Sequence, residues 1–106
     1  MDRSTLKQVE QTEINNIAAS DVENYIKLFT NILRKLVERP DEVSIKLFYA
    51  KNKENQECVC CEVFVNKSDL GLIIGKNGKI VKSITTIGHS IMAKHKVLFG
   101  WYIMNV

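Results

Sequence analysis

Apolar residues recur every three or four positions between Val22 and Val37: Val22, Tyr25, Ile26, Phe29, Ile32, Leu33, Leu36 and Val37. That spacing predicts an amphipathic helix with one broad apolar face. Ser20, followed three residues later by Glu23, is a capping-box start. Pro40 pushes Arg39 out of the α region, so the helix is expected to stop near Glu38. The period then shortens to two. Val43, Ile45, Leu47 and Tyr49 alternate with Ser44, Lys46 and Phe48, and after a polar connection over Lys51 to Gln56 a second strand follows. Its inward row is Val59, Cys61, Val63 and Val65; its outer row is Cys58, Cys60, Glu62 and Phe64. The two strands should pair antiparallel. A last strand runs from Lys96 to Met104, with Phe99, Trp101 and Ile103 on one face and Leu98, Tyr102 and Met104 on the other. Both faces are apolar, so the outer side is expected either to be covered, with a dimer partner as the candidate, or to be an ordinary scatter of surface apolar groups.

Between the second and last strands the pattern reads as a short helix, a tight turn and a longer helix. Asn66, Lys67 or Ser68 can start the short helix, with Asn66 the best cap and Asp69 in the capping-box position. Gly75 and Gly78 bracket Lys76 and Asn77. Glycines three apart permit positive φ and a close backbone approach. The turn opens onto the N-terminus of the longer helix, whose free N–H groups and dipole favour an anion. Ile80, Ile84, Ile87 and Ile91 form one face of that helix, leaving Lys79, Lys82 and Thr86 for solvent or ligand. Gly88 weakens the helix by about 1 kcal/mol relative to Ala. A nucleotide-binding P-loop is not met here. Gly71 and Gly75 are separated by three residues instead of four, and Asn77 stands where a magnesium-holding hydroxyl belongs.

Charge sharpens this picture. The 106-residue chain carries only +3, but residues 1–66 hold nine Lys/Arg against eleven Asp/Glu, net −2. Residues 67–106 hold six Lys and one Asp, net +5, so the excess sits with the Gly-Lys stretch, as a footprint for a phosphate-bearing partner would. No apolar run has the eighteen or so residues of a membrane span, and Met1 to Ala19 has no signal-peptide core, so a cytoplasmic, non-membrane protein is expected. Residues 1–19 show no clean period and read as an N-terminal extension, mobile or weakly helical.

Cys58, Cys60 and Cys61 lie too close together for one tetrahedral zinc site, since a strand points Cys61 away from the other two. Reduced structural thiols in a reducing compartment are expected, with no metal and no cofactor. His89 and His95 read as helix-surface residues. With no Ser/His/Asp set or carboxylate pair, the residues do not suggest an enzyme.

The stretch Leu70-Gly71-Leu72-Ile73-Ile74-Gly75-Lys76-Asn77-Gly78-Lys79-Ile80 resembles the signature of the KH domain, whose GXXG loop clamps about four nucleotides of single-stranded RNA. The element order is that of the type II KH fold, an α+β arrangement α-β-β-α-α-β with a three-stranded sheet backed by three helices on one face. The two-helix crossover lets the last strand lie parallel to the second. Residues 20–106, read as a single KH domain, are similar to the small single-KH bacterial proteins of the KhpA type. The likeness rests on the opening helix, Arg39-Pro40-Asp41-Glu42-Val43, Lys67-Ser68-Asp69-Leu70-Gly71, the GXXG stretch and the closing aromatic strand. It implies cytoplasmic RNA binding and pairing with a second copy or a larger KH partner of the KhpB (Jag) type. By position, Gly75, Lys76, Asn77 and Gly78 would be the phosphate clamp. Gly71, Ile74 and Ile80 would line the apolar floor under the bases, with Lys79 and Lys82 beside the RNA backbone.

Three features depart from the family pattern. Leu72 stands where Lys is frequent, Asn77 where Gln is frequent, and residues 1–19 extend beyond a minimal member. The missing Lys and the doubly apolar last strand support a rival reading, a KH-fold dimerisation or protein-interaction module with little RNA binding of its own.

Overall fold

The computed structural model describes residues 2–105; Met1 and Val106, the outer limits of the two expected segments, lie outside it. The first helix, α1, spans Ala19–Leu36 and buries Val22, Phe29 and Leu33 at the predicted spacing. It starts one residue before Ser20, with Ala18 at the cap, so the Ser20/Glu23 capping box does not form. It stops within two residues of the expected end. Arg39 has left the helical region at φ −121°, ψ 72°, and Pro40–Glu42 forms a single 3-10 turn.

Strands β2 (Ser44–Lys51) and β3 (Glu57–Val65) pair antiparallel, and β4 (Leu98–Asn105) lies parallel to β3. Between β3 and β4 come α2 (Leu70–Ile74) and α3 (Lys79–Ala93). Val59, Cys61, Val63 and Val65 of β3 join Phe99, Trp101 and Ile103 of β4 in one core against the three helices. Fully burying residues such as Phe29, Leu33, Ile73 and Met92 contributes about 1.5–3 kcal/mol each.

Two expectations need correction. The sheet has four strands, in the order β1-β2-β3-β4, because residues 7–9 (β1, Lys7–Val9) pair antiparallel with β2. Residues 2–17, expected to be mobile or weakly helical, are laid on the domain as a 3-10 turn, a strand and a second 3-10 turn. Their apolar residues follow no period because each packs in a different place. Leu6 covers Ala50, Cys58 and Cys60 on the outer face of the sheet, whereas Ile14 and Ile17 enter the main core. Arg3 lies 5.4 Å from the Phe48 ring and 4.9 Å from the Tyr102 ring, and pairs with Glu62 at 2.8 Å. The buried Glu57 carboxylate accepts hydrogen bonds from the N–H groups of Asn15 and Asn16, fixing the far end of the arm. The chain's own N-terminus thus supplies a cover for the outer apolar face.

The second correction concerns α3. Its buried line is Ile84, Gly88 and Met92, with Ile80 and Ile91 half-buried, while Ile87 is 49% exposed. Gly88 lets the helix approach the sheet. A Cβ there would fall 2.3 Å from the Phe99 ring.

Candidate nucleic-acid interface

The turn between α2 and α3 is shaped by three residues with positive φ: Gly75 at +77°, Asn77 at +57° and Gly78 at +72°. Asparagine tolerates the left-handed region better than most side chains, which explains why Asn77 fits. Gly75 N–H donates to the Gly71 carbonyl (2.9 Å), and Gly78 N–H donates to the Gly75 carbonyl (3.1 Å). The intervening N–H groups of Lys76 and Asn77 have no acceptor among the described residues. They stand at the start of the fifteen-residue α3, where the helix dipole adds positive potential.

Around this turn Lys76, Lys79 and Lys82 are all exposed. Among the described residues none of the three is in an ion pair. Lys82 leans back over the turn, so that its Cε would lie 3.7 Å from a Cβ at Gly78. On α2, Gly71, Leu72 and Ile74 are exposed, the two large side chains by 41% and 40%. Space above Gly71 is open, with nothing within 4 Å of where its Cβ would be. Ile80 differs from the rest of the expected floor. It is half-buried and wedged beneath Gly75, so it supports the turn from inside. Gly71, Ile74, Lys76, Asn77, Lys79 and Lys82 are thus all exposed on the turn or on the two helices it joins, Gly75 and Gly78 shape the turn, and Ile80 lies beneath Gly75.

Asp69 does not complete the expected capping box. Asn66 caps the turn alone, accepting from Ser68 N–H at 2.9 Å. The Asp69 carboxylate, 1% exposed, turns to the end of α1, accepting from the N–H groups of Glu38 (3.4 Å) and Arg39 (3.1 Å). That contact ties α2, and with it the turn, to the first helix.

Sequence reasoning missed how the surface continues along α3. Val81, Lys82, Thr85, Thr86 and His89 line a shallow depression beside the turn. Their i, i+4 spacing was visible in the sequence, but which flank of the helix faces β4 was not. His95 is not a helix-surface residue. It follows the end of α3, half-buried, with Nε2 3.2 Å from the Tyr25 hydroxyl.

The three thiols are free and buried, with Cys61 facing the main core and Cys58 and Cys60 the outer face. Burial, with a neighbouring thiol adding to it, pushes Cys60 and Cys61 up to about 12. They are protonated structural residues. Among the described residues no group of three or more His, Cys, Asp or Glu side chains is placed to hold a metal, and no helix is long and apolar enough to cross a membrane.

A parallel β-α-α-β core with GXXG between its helices, preceded by a helix and a strand, defines a type II KH domain. The family model described as "KhpA/KhpB, KH domain" matches residues 26–99. The chain is 36% identical over 74 residues to a protein of Chlamydia caviae called "RNA-binding protein KhpA", covering 70% of this chain and 88% of that one. Similarity to the proteins of the same name from Thermotoga maritima (34% over 70 residues; 66% and 87%) and Listeria monocytogenes (30% over 69 residues; 65% and 84%) is of the same kind. The chain belongs to the KhpA/KhpB KH-domain family.

Proposed function

We propose that this chain binds single-stranded RNA at the GXXG turn, and that its role is binding and not catalysis. The observation that carries this reading is the turn itself. Among the described residues, two N–H groups without acceptors stand at a helix N-terminus amid three lysines that are in no ion pair, next to exposed Leu72 and Ile74 and the open space over Gly71. Phosphates would be held by the Lys76 and Asn77 N–H groups with Lys76, Lys79 and Lys82. Bases would pack over Gly71 and Ile74, with Ile80 holding the turn in place. The names of the relatives support the same reading. Residues 20–106 would be the KH unit, residues 1–19 an arm added to it, and the cytoplasm its place of work.

Its test is fluorescence anisotropy with a random single-stranded RNA pool at two salt concentrations. The wild type is compared with a Lys76→Asp/Asn77→Asp variant of verified fold. Binding that weakens with salt and is lost in the variant supports the clamp. Equal binding by the two proteins overturns it.

A second reading, pairing with another copy or with a larger KH partner of the KhpB type, is favoured by β4. It is an edge strand of eight residues with no charged side chain, and natural edges are normally protected. Joining two KH units would raise affinity through effective concentration. Sedimentation across a wide concentration range tests this, and a monomer throughout would exclude self-pairing.

A further inference from the structure

We infer that the uncovered stretch of the β2 edge, Ser44 to Phe48, is a docking site for an extended acidic segment of a partner protein, which adds to the sheet as a further strand. This edge lies on the opposite side of the sheet from β4, and the inference does not rest on the RNA-binding reading.

The chain itself shows that this edge accepts a strand. β1 pairs antiparallel with β2, but its register runs only from Lys7 opposite Lys51 to Val9 opposite Tyr49. After Val9 the chain leaves the edge, turns at Gln11–Glu13 and is held at Asn15 and Asn16 by Glu57. Ser44 to Phe48 therefore pair with β3 on one side and, among the described residues, with no strand on the other. In such an edge the outward N–H and C=O groups of alternate residues are left to solvent. All five residues are exposed or half-buried. Ile45, Leu47 and Phe48 are large and apolar, and Lys46 is the one charge that guards the stretch.

The side chains decide what the added strand carries. On the helix side of the sheet, Glu23, Ile26 and Lys27 of α1 and Leu47 of β2 line a depression of ≈ 290 Å³. No residue of β3 lines it, so it opens on the free side of β2. A strand laid along Ser44 to Phe48 turns every second side chain toward this depression, and aliphatic residues suit those positions. On the other face stands Lys46. Its cross-strand neighbour is Glu62, but that carboxylate is taken by Arg3 at 2.8 Å, and Lys46 is in no ion pair among the described residues. An acidic residue opposite Lys46 on the added strand supplies the missing partner, whereas a basic one meets like charge. The same lysine argues against a second copy of this chain. Two β2 edges joined about a two-fold axis at this stretch centre on Lys46 and set two lysines face to face. The occupant that fits is an extended segment alternating aliphatic and acidic residues, bound by main-chain hydrogen bonds with the depression selecting its side chains.

The probe is a synthetic heptapeptide alternating glutamate and valine, with a lysine–valine heptapeptide as its control, added to the isotope-labelled full chain and followed by NMR. Outward amides of Ser44 to Phe48 should exchange fast in the free protein and become protected with the acidic peptide at about 1 mM, but not with the basic one. Lys46→Glu, at an exposed position, should weaken the acidic peptide about fivefold, the spectrum itself reporting that the fold is kept. A strand pairs with β2 through one of its own edges only. N-methylating the valine amides and N-methylating the glutamate amides should therefore differ, one set abolishing binding and the other sparing it. No protection by the acidic peptide, equal binding of the two peptides, or equal effects of the two methylations would overturn the proposal. Protection already present without peptide and fading on dilution would seat a second copy at the edge and overturn it as well.

Discussion

Ile80 Cγ1 lies where a side chain at position 75 would have to go: a Cβ on Gly75 would fall 2.7 Å from it. Gly75 also holds φ +77°, ψ 170°, a region open in practice only to glycine. The tightness of the GXXG turn is thus set from below by a half-buried residue of the first turn of α3. Gly78 is left-handed too, but its nearest foreign atom would be 3.7 Å away, and Gly71 meets nothing. Gly75→Ala should therefore lower stability by about 2–3 kcal/mol, Gly78→Ala by about 1, and Gly71→Ala by nothing or less than nothing, since Ala is the better helix former. Thermal melts should give that order. Gly71→Ala should still weaken RNA binding, because the added methyl enters the space proposed for a base.

At Gly88 two effects of opposite sign compete. Replacing a helical glycine by Ala gains about 1 kcal/mol of propensity, whereas overpacking costs typically 1–3 kcal/mol. A Cβ only 2.3 Å from Phe99 Cε2, with two more ring atoms within 2.7 Å, puts the cost at the upper end. Gly88→Ala should therefore lower the urea midpoint. Adding Phe99→Leu should recover part of the loss, and strictly additive losses in the double variant would show that the contact is not the cause.

What the sequence revealed and what it hid follow one physical division. Periodic burial was legible: α1, β2, β3 and β4 and the rows they turn to the core are where alternation and helical spacing put them, and the GXXG turn has the backbone its glycines require. Contacts that no period encodes were not legible. Asp69 sits at a helix start and reads as a cap, yet its carboxylate is used thirty residues back at Arg39. Glu57 begins a strand and holds the N–H groups of Asn15 and Asn16. The extension has Leu6, Val9, Ile14 and Ile17 at irregular intervals because they serve two faces of one sheet. The line on α3 was misjudged for a similar reason. Ile87 has the right chemistry for the core, but the packing of Gly88 against Phe99 rotates it outward.

The buried Asp69 carboxylate predicts an asymmetry. Asp69→Ala leaves the N–H groups of Glu38 and Arg39 without their acceptor and opens a gap between α1 and α2, which should lower stability by about 2–4 kcal/mol. Arg39, half-exposed and 3.7 Å from Asp69, has a weak ion pair that solvent screens, so Arg39→Ala should lower stability by about 1 kcal/mol or less. Equal losses in chemical denaturation would mean that the ion pair, and not the backbone hydrogen bonds, joins the two helices.

The thiols predict how the fold fails in alkali and what the N-terminal arm covers. Cys60 and Cys61 ionise at about 12 when folded, against an ordinary value of 9.0. Above about pH 9 the unfolded chain releases thiol protons that the folded chain keeps, so the folded state binds more protons. Stability should be unaffected by these groups below pH 9 and fall as pH rises from 9 toward 12, by at most about 1.4 kcal/mol per pH unit per thiol. Cys61→Val, similar in volume and without an ionising group, should flatten that fall in melts taken from pH 8 to 11. The arm enters because Leu6 packs over Cys58 and Cys60 but not over Cys61, which faces the helices. In the full chain none of the three should react quickly with a thiol reagent at pH 8. Deleting residues 2–10 should open the outer face, so that two thiols react and the third stays protected. Three reactive thiols would mean that the deletion loosens the whole domain, and none would mean that the arm is not what shields Cys58 and Cys60.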